Sequence, residues 1–346
     1  MGYSAFMDYR EVLVTGGTGF VGSHVCRALI ARGWLPRLLA RVGSEGRIPE
    51  DIRNACRVTL GDVTNRESVD NAVQGTEAVV HLAGIIREFP DREVTFDRLH
   101  LAATRNVVDA AKRWGIPRIV HMSALGAQAG GPTAYFDSKG RAEDYVRQSG
   151  LRWTVFRPSV IFGPGDRFLQ ELVGILRRTP LFPVPGDGTY RLQPVFVGDV
   201  ARGIAEAVER EDTEGRIFEV GGPDRFSYDE LIDKVSASQG RRVRKVHVPL
   251  PLVRAVVRRL ERTERFPLTT EQIEMLFRES LCDGKPFYAA FGFPPFSLSD
   301  YLSSRFRAPH TFMGVISEKG AEPEGGQAAS KGVSAGEKEH PLRKSA

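Results

Sequence analysis

Between Glu11 and Arg157, short β-branched runs alternate with stretches whose apolar residues recur every three or four positions. That is the pattern of a parallel sheet linked by crossover helices. Strands are predicted at Glu11–Thr15, Pro36–Ala40, Cys56–Leu60, Ala78–Leu82, Arg118–Met122 and Trp153–Arg157. Helices are predicted at Val21–Arg32, Arg66–Ala72, His100–Trp114 and Tyr135–Gln148, each ending near a breaker such as Gly33, Gly75, Gly115–Pro117 or Gly150. Repeats of this kind predict an α/β fold: a Rossmann doubly wound parallel sheet with helices on both faces.

After Arg157 the pattern changes. Pro158, Gly163, Pro164, Gly165, Pro183, Pro185, Gly186 and Gly188 space the apolar runs with longer loops. The run Ile217–Val220, followed by Gly221-Gly222-Pro223, reads as a strand returning to the sheet. The expected organisation is a dinucleotide-binding domain over 1–157, a smaller discontinuous substrate lobe over 158–308, and a disordered tail over 309–346, where aromatics give way to Gly, Ala, Ser, Glu and Lys.

Composition changes this picture little. No run approaches the ~18 apolar residues of a membrane span, and Met1–Arg10 lacks the basic-then-apolar order of a secretory signal. Cys26, Cys56 and Cys282 are too scattered for a disulfide frame or a metal cluster, so a reducing, cytoplasmic setting without a metal is expected. From Ser317 onward five acidic and five basic residues cancel, leaving the net charge of +5 upstream. That excess is too small to indicate nucleic acid; it suits an anionic cofactor or membrane surface.

Candidate chemistry begins at Val12–Gly22, where a strand runs into the turn Gly16-Gly17-Thr18-Gly19-Phe20 and a helix leaves it at Val21. Gly16 and Gly19 permit a tight turn and close approach to a pyrophosphate, Gly22 permits close helix–strand packing, and the helix N-terminus offers free N–H groups. The second strand ends Leu39-Ala40-Arg41, with no acid to bind a ribose 2′-hydroxyl and Arg41 next, Arg37 and Arg47 being nearby. This favours NADP(H) over NAD(H), although surface arginines are common. Gly61-Asp62-Val63 and His81-Leu82-Ala83-Gly84 close two further strands. Asp62 could accept from an adenine amino group or merely cap the Arg66 helix or its turn, Leu82, Ala83 and Gly84 would let a cofactor approach, and His81 reads as a strand residue.

Ser123 follows the strand Arg118–Met122, and Tyr135 and Lys139 lie at i and i+4 on the next helix. A phenol has an ordinary pKa of about 10, so work near neutrality calls for a neighbouring ammonium. Tyr135 would move the proton, Lys139 would tune it and hold the nicotinamide ribose, and Ser123 would hold the substrate oxygen.

Taken in order, these motifs resemble the short-chain dehydrogenase/reductase superfamily over roughly residues 10–305. Arg157-Pro158-Ser159 through Gly163-Pro164-Gly165-Asp166, with Pro194–Val200, resembles the extended, epimerase/dehydratase-like branch. That resemblance implies Pro158 near the nicotinamide carboxamide; Asp199 reads equally as a helix N-cap. Gly84–Glu88, His100–Asn106, Pro267–Gln272 and Phe291-Gly292-Phe293 are similar to the atypical group containing the nucleotide-binding accessory subunit of respiratory complex I, a related member of which acts in coenzyme Q synthesis. The resemblance implies NADP(H) and contact with a respiratory or quinone-synthesis complex at the inner membrane. Two features depart from the family: His100 stands where Asn often supports a proton relay, and the spacing from Ser123 to Tyr135 is short for a sugar-nucleotide epimerase.

Leu252–Arg262 interleaves Leu252, Val253, Val256, Val257 and Leu260 with Arg254, Arg258, Arg259 and Arg262. It reads as a lobe helix with its apolar stripe in the core, or as a helix lying on an anionic membrane. Two functions are therefore expected to compete: an NAD(P)(H)-dependent oxidoreductase or epimerase-like enzyme acting on a small molecule, and an NADP(H)-binding accessory protein of a respiratory or coenzyme Q complex.

Overall fold

Strand β1 (Glu11–Thr15) is buried along its whole length, as a strand covered on both faces must be. Val12 and Val14 point into one hydrophobic layer and Leu13 into the other, following the two-residue period of a strand. The computed structural model describes residues 10–261, 263, 266 and 268–307. The expected tail at 309–346 and Arg262 lie outside them.

From β1 the chain runs through α1 (Phe20–Ala31), β2 (Leu35–Ala40), the short α2 (Glu50–Arg53), β3 (Arg57–Leu60), α3 (Arg66–Val73) and β4 (Ala78–His81). A π-helical turn, Asp97–Ala102, leads into α4 (Ala103–Arg113), then β5 (Arg118–Met122), α5 (Ala134–Arg147) and β6 (Arg152–Pro158). The strand Arg216–Val220 pairs outside β6, so the seven-stranded sheet runs from it through β6, β5, β4, β1 and β2 to β3. Every pairing in it is parallel. The order reverses between β1 and β4, which places a crevice at the carboxyl ends of those strands.

Two apolar layers cover the sheet. One joins Val12, Val25, Leu29, Val80, Phe156 and Ile204; the other joins Leu13, Val69, Val79, Val107, Ile119 and Val146. The later elements are α6 (Phe168–Arg178), α7 (Val197–Ala207), α8 (Tyr228–Ser238), α9 (Leu250–Leu260), α10 (Thr270–Phe277), α11 (Lys285–Phe291) and α12 (Leu298–Arg307), with a parallel pair formed by Leu181–Pro185 and Arg244–Val248. A third cluster, including Phe162, Leu172, Phe182, Leu192, Leu231 and Leu302, joins α6, α8 and α12 among them, whereas α7 and α11 pack in the first layer on the sheet.

Three sequence expectations are corrected. The helix expected to begin at His100 begins earlier, as a π-turn with His100 inside it. Asp199 lies within α7, whose N-cap is Phe196; its carboxylate accepts from Tyr288 Oη at 3.2 Å and Phe296 N at 2.9 Å, tying α7 to the chain around α11. The apolar stripe of α9 does not enter the core, since Val257 is that helix's one buried residue.

Candidate functional site

The turn after β1 is built for backbone contact. Gly16 has φ +73°, and a Cβ there would stand 2.9 Å from both Ala83 N and the Leu82 carbonyl carbon. Only glycine therefore lets the turns after β1 and β4 touch. A Cβ on Gly22 would come within 2.2 Å of Gly16 O, so α1 packs directly on the turn that precedes it. Gly19 N donates to Gly16 O at 3.0 Å, and Ser23 N donates to Gly19 O at 3.0 Å as the helix begins. Gly19 is the N-cap, no side chain caps the helix, and its first turn contains no acid. The N–H groups of Phe20, Val21 and Gly22 are thus left for an anion. Thr18, Phe20 and Val21 are half-buried along this turn. Beyond it, His24 Nε2 contacts Pro164 O at 2.9 Å, drawing the Gly163–Asp166 loop across α1.

At the end of β2, Ala40 is buried and Arg41 is exposed, its carbonyl held by the Ser44 hydroxyl at 2.6 Å. Arg47 is exposed in the following turn. Arg37 is not part of this group. Its guanidinium pairs with Glu11 at the amino-terminal end of the neighbouring β1 and donates to the carbonyls of Ala72 and Gln74. Asp62 Oδ1 accepts from Thr64 N at 2.8 Å and from Thr64 Oγ1 at 2.7 Å, the turn-capping alternative, while Asn65 caps α3. Val63 O accepts from Asn106 Nδ2 at 3.2 Å, which ties this loop to α4.

The ends of β4 and β5, the π-turn and α5 converge on a second group. Thr133 caps α5, its Oγ1 accepting from Phe136 N at 3.2 Å. Lys139, one turn after Tyr135, is 5% exposed and its Nζ donates to Met122 O at 2.6 Å, immediately before Ser123. Ser123 N donates to Phe156 O at 2.8 Å, and its Oγ is buried with no hydrogen-bond partner. Leu125 N donates to Pro158 O at 3.0 Å, which brings the end of β6 beside this loop. A Cβ on Gly84 would lie 3.4 Å from His100 Nε2 and 3.9 Å from Lys139 Nζ. Gly84, His100 and Lys139 therefore share one corner.

His100 is the hub of that corner. Its ring stacks on Phe96 with centroids 5.3 Å apart and stands edge-on to Tyr135 at 5.5 Å. Nδ1 lies 2.8 Å from Ser138 Oγ, and Ile85 N donates to Nε2 at 3.1 Å. Ser138 Oγ donates its proton to Tyr135 O at 2.9 Å, leaving a lone pair toward His100 Nδ1, and Nε2 also lies 3.0 Å from Ile85 O, so the loop after β4 meets this ring through both backbone groups of Ile85. The structure thus fills the position where Asn was expected with a neutral imidazole.

Burial sets the electrostatics. It lowers the Lys139 ammonium to about 8, with Glu143 opposing in part. Burial, reinforced by the Lys139 charge, holds His100 at about 2 and His81 at about 3, and drives His121 well below its ordinary value. Burial also pushes the Tyr135 phenol up to about 12. The sequence-based expectation that the lysine favours phenolate is therefore not met by the protein alone: burial sets the phenol's shift, and the ammonium donates to a carbonyl instead. His81 bridges Thr15 Oγ1 at 2.6 Å and Thr104 Oγ1 at 3.0 Å as a buried strand residue.

Sequence reasoning passed over three contributors. His121 stacks on His81 with centroids 5.3 Å apart, and both of its ring nitrogens are buried without partners. Glu271 Oε1 accepts from Tyr135 N at 2.8 Å, and Arg87 donates to Glu261 O at 3.1 Å and to Phe266 O. The Thr269/Gln272 capping box marks the start of α10 in sequence, but nothing in it indicates that Glu271 reaches α5.

A wholly parallel sheet that reverses at a glycine turn, with a strand-end serine and a helical Tyr/Lys pair beside it, is a Rossmann-like fold of the kind seen in extended short-chain dehydrogenase/reductase structures. The chain resembles that family, and a model described as NAD(P)H-binding matches residues 16–167. In sequence it is similar to NADH dehydrogenase [ubiquinone] 1 alpha subcomplex subunit 9, mitochondrial, of Dictyostelium discoideum, with 27% identity over 226 residues, 64% of this chain and 62% of that one. It is also similar to a ceramide reductase of Caulobacter vibrioides, with 33% identity over 196 residues, 56% of this chain and 60% of that one. The chain therefore matches about three fifths of each of these relatives' length. In fold it matches a dTDP-glucose 4,6-dehydratase of Streptomyces venezuelae with NAD bound: TM-score 0.66, 24% identity, 86% of this chain and 96% of that one.

Proposed function

We propose that this protein is an NADP(H)-dependent reductase that protonates a substrate carbonyl with Tyr135. The observation that carries the reading is the Ser123 hydroxyl, buried and without a partner beside the anchored Lys139. A buried hydroxyl left unpaired costs roughly 1–3 kcal/mol, and a substrate oxygen would satisfy it. A phenol pushed up to about 12 stays protonated at neutral pH, so in the protein alone it is an acid rather than a base, which suits reduction.

The glycine turn and the first turn of α1, at Gly16, Thr18, Gly19, Phe20, Val21 and Gly22, fit a pyrophosphate. Arg41 suits a 2′-phosphate, and Asp62, Val63, Leu82, Ala83, Gly84 and Pro158 would line the path from adenine to nicotinamide. A bound nicotinamide supplies hydride. Ser123 would orient the carbonyl, Tyr135 would give its oxygen a proton, and Lys139 would hold the ribose and favour the phenolate that remains. His100, held by Ser138 and Ile85, keeps the Tyr135 ring in place. The ceramide reductase likeness supports a carbonyl of a lipid as the class to try first.

Replacing Tyr135 by Phe is expected to lower turnover by about 10² to 10⁴-fold, the usual worth of a positioned acid. NADPH affinity should stay within about twofold. NADPH oxidation with long-chain ketones and quinones reads the first, and fluorescence titration the second. Equal turnover by the two proteins would remove Tyr135 from the chemistry. The second reading, an accessory role in a respiratory complex, is favoured by the likeness to the alpha subcomplex subunit 9 proteins. It predicts tight NADPH binding, no turnover in either protein, and co-purification with a larger assembly.

A further inference from the structure

Helix α9 turns its apolar residues outward. Leu252, Val256 and Leu260 are 56%, 46% and 39% exposed, spaced one turn apart on one stripe. Leu268 beyond its end and Ile86 from the loop after β4 are 40% and 60% exposed. The helix contains three arginines and no acid. Arg254 pairs with Glu274 at 2.8 Å, whereas Arg258 and Arg259 are exposed and have no ion-pair partner among the described residues. Among the described residues, the neighbouring carboxylates hold backbone groups: Glu261 accepts from Thr270 N at 2.7 Å and Glu271 from Tyr135 N at 2.8 Å. The face is thus a row of aliphatic side chains beside two guanidinium groups that no carboxylate pairs with among the described residues.

We infer that α9 docks this protein on the surface of an anionic phospholipid bilayer. Leu252, Val256 and Leu260 enter the acyl boundary, and Arg258 and Arg259 lie among the phosphates. An aliphatic stripe left in water is costly, and a partner protein's apolar surface would leave two arginines without counter-charge. An anionic lipid surface meets both needs at once, and amphipathic helices of this composition lie in the interface plane. Arg87 fixes the orientation. Its guanidinium binds carbonyls of Glu261 and Phe266 just past α9, and its own loop starts at Gly84, beside His100 and Lys139. Docking by α9 therefore brings the crevice loop to the bilayer. The inference does not depend on catalysis.

The test is flotation of the full chain with vesicles of phosphatidylcholine alone and with added phosphatidylglycerol, read at low and high salt. Binding is expected only to the anionic vesicles and should weaken with salt. Each arginine at such a surface is worth about fivefold, so Arg258→Gln with Arg259→Gln should lower partition about 25-fold. Leu252→Ser with Val256→Ser and Leu260→Ser should lower it at least as far. NADPH affinity and the melting temperature of both variants report that they are folded. No flotation of the wild-type chain, equal flotation on both vesicle types, or wild-type flotation by either folded variant would overturn the inference. So would loss of a wild-type dimer in the apolar variant without any vesicle binding, since the stripe would then meet a second copy. None of these results bears on Tyr135 turnover, so the two proposals fail separately.

Discussion

Lys139 Nζ is fixed 2.6 Å from Met122 O, so the helix carrying Tyr135 is tied to the strand end carrying Ser123. The contact orders the site without neutralising the charge: a carbonyl solvates an ammonium, but burial still lowers Lys139 to about 8.

That lowering has a sign that stability measurements can read. Between pH 8 and 10.5 the unfolded chain holds a proton on Lys139 that the folded chain has lost, so stability rises with pH across that window. The rise is expected to reach about 3 kcal/mol. Above pH 10 Tyr135 acts oppositely, because the folded phenol keeps its proton to about 12. Urea unfolding of dinucleotide-free protein should show the rise, and Lys139→Met should abolish it. An unchanged profile in the variant would assign the rise to other groups.

His81, His100 and His121 are buried neutral, with His81 at about 3 and His100 at about 2. Below pH 6.5 the unfolded chain takes up three protons that the folded chain refuses, so stability falls as pH drops. Each histidine contributes about 1.36 kcal/mol per pH unit. His121→Leu, which removes two unpartnered ring nitrogens, should reduce the slope between pH 6 and 4 by about a third of the three-histidine share. It should also raise stability at pH 7. A steeper slope in the variant would contradict the assignment.

Two glycines separate the turn's steric demand from helix propensity. Gly22→Ala places a Cβ 2.2 Å from Gly16 O, between backbones that cannot part. It is expected to cost about 2 kcal/mol or more and to abolish NADPH binding. Gly174, in α6, has nothing within 4 Å of its added Cβ. Gly174→Ala should therefore stabilise by about 0.5–1 kcal/mol and leave binding alone. Denaturant midpoints and a binding titration check both.

Arg41 is exposed after β2, with no acid preceding it, whereas Arg37 is occupied by Glu11. Arg41→Ala should weaken NADPH by about 10- to 100-fold, the worth of a charged hydrogen bond to phosphate, and leave NADH unchanged. Parallel titrations with the two dinucleotides decide it. Equal losses for both would place Arg41 away from the 2′ position.

The sheet was legible in the chain because its determinants are local. Buried β-branched runs and helical spacing between breakers need no distant partner to be recognised, and Glu11–Thr15 and Arg118–Met122 appear with the predicted bounds. The glycine turn and the Tyr135/Lys139 spacing were legible for the same reason. What lay outside the sequence's reach depends on desolvation and on contacts between distant segments. The phenol's upward shift, the engagement of Arg37 by Glu11, and the reach of Glu271 to Tyr135 all belong to that class. The outward stripe of α9 belongs there too. Periodicity shows that a helix has an apolar face, but only packing settles whether that face meets the core or the solvent.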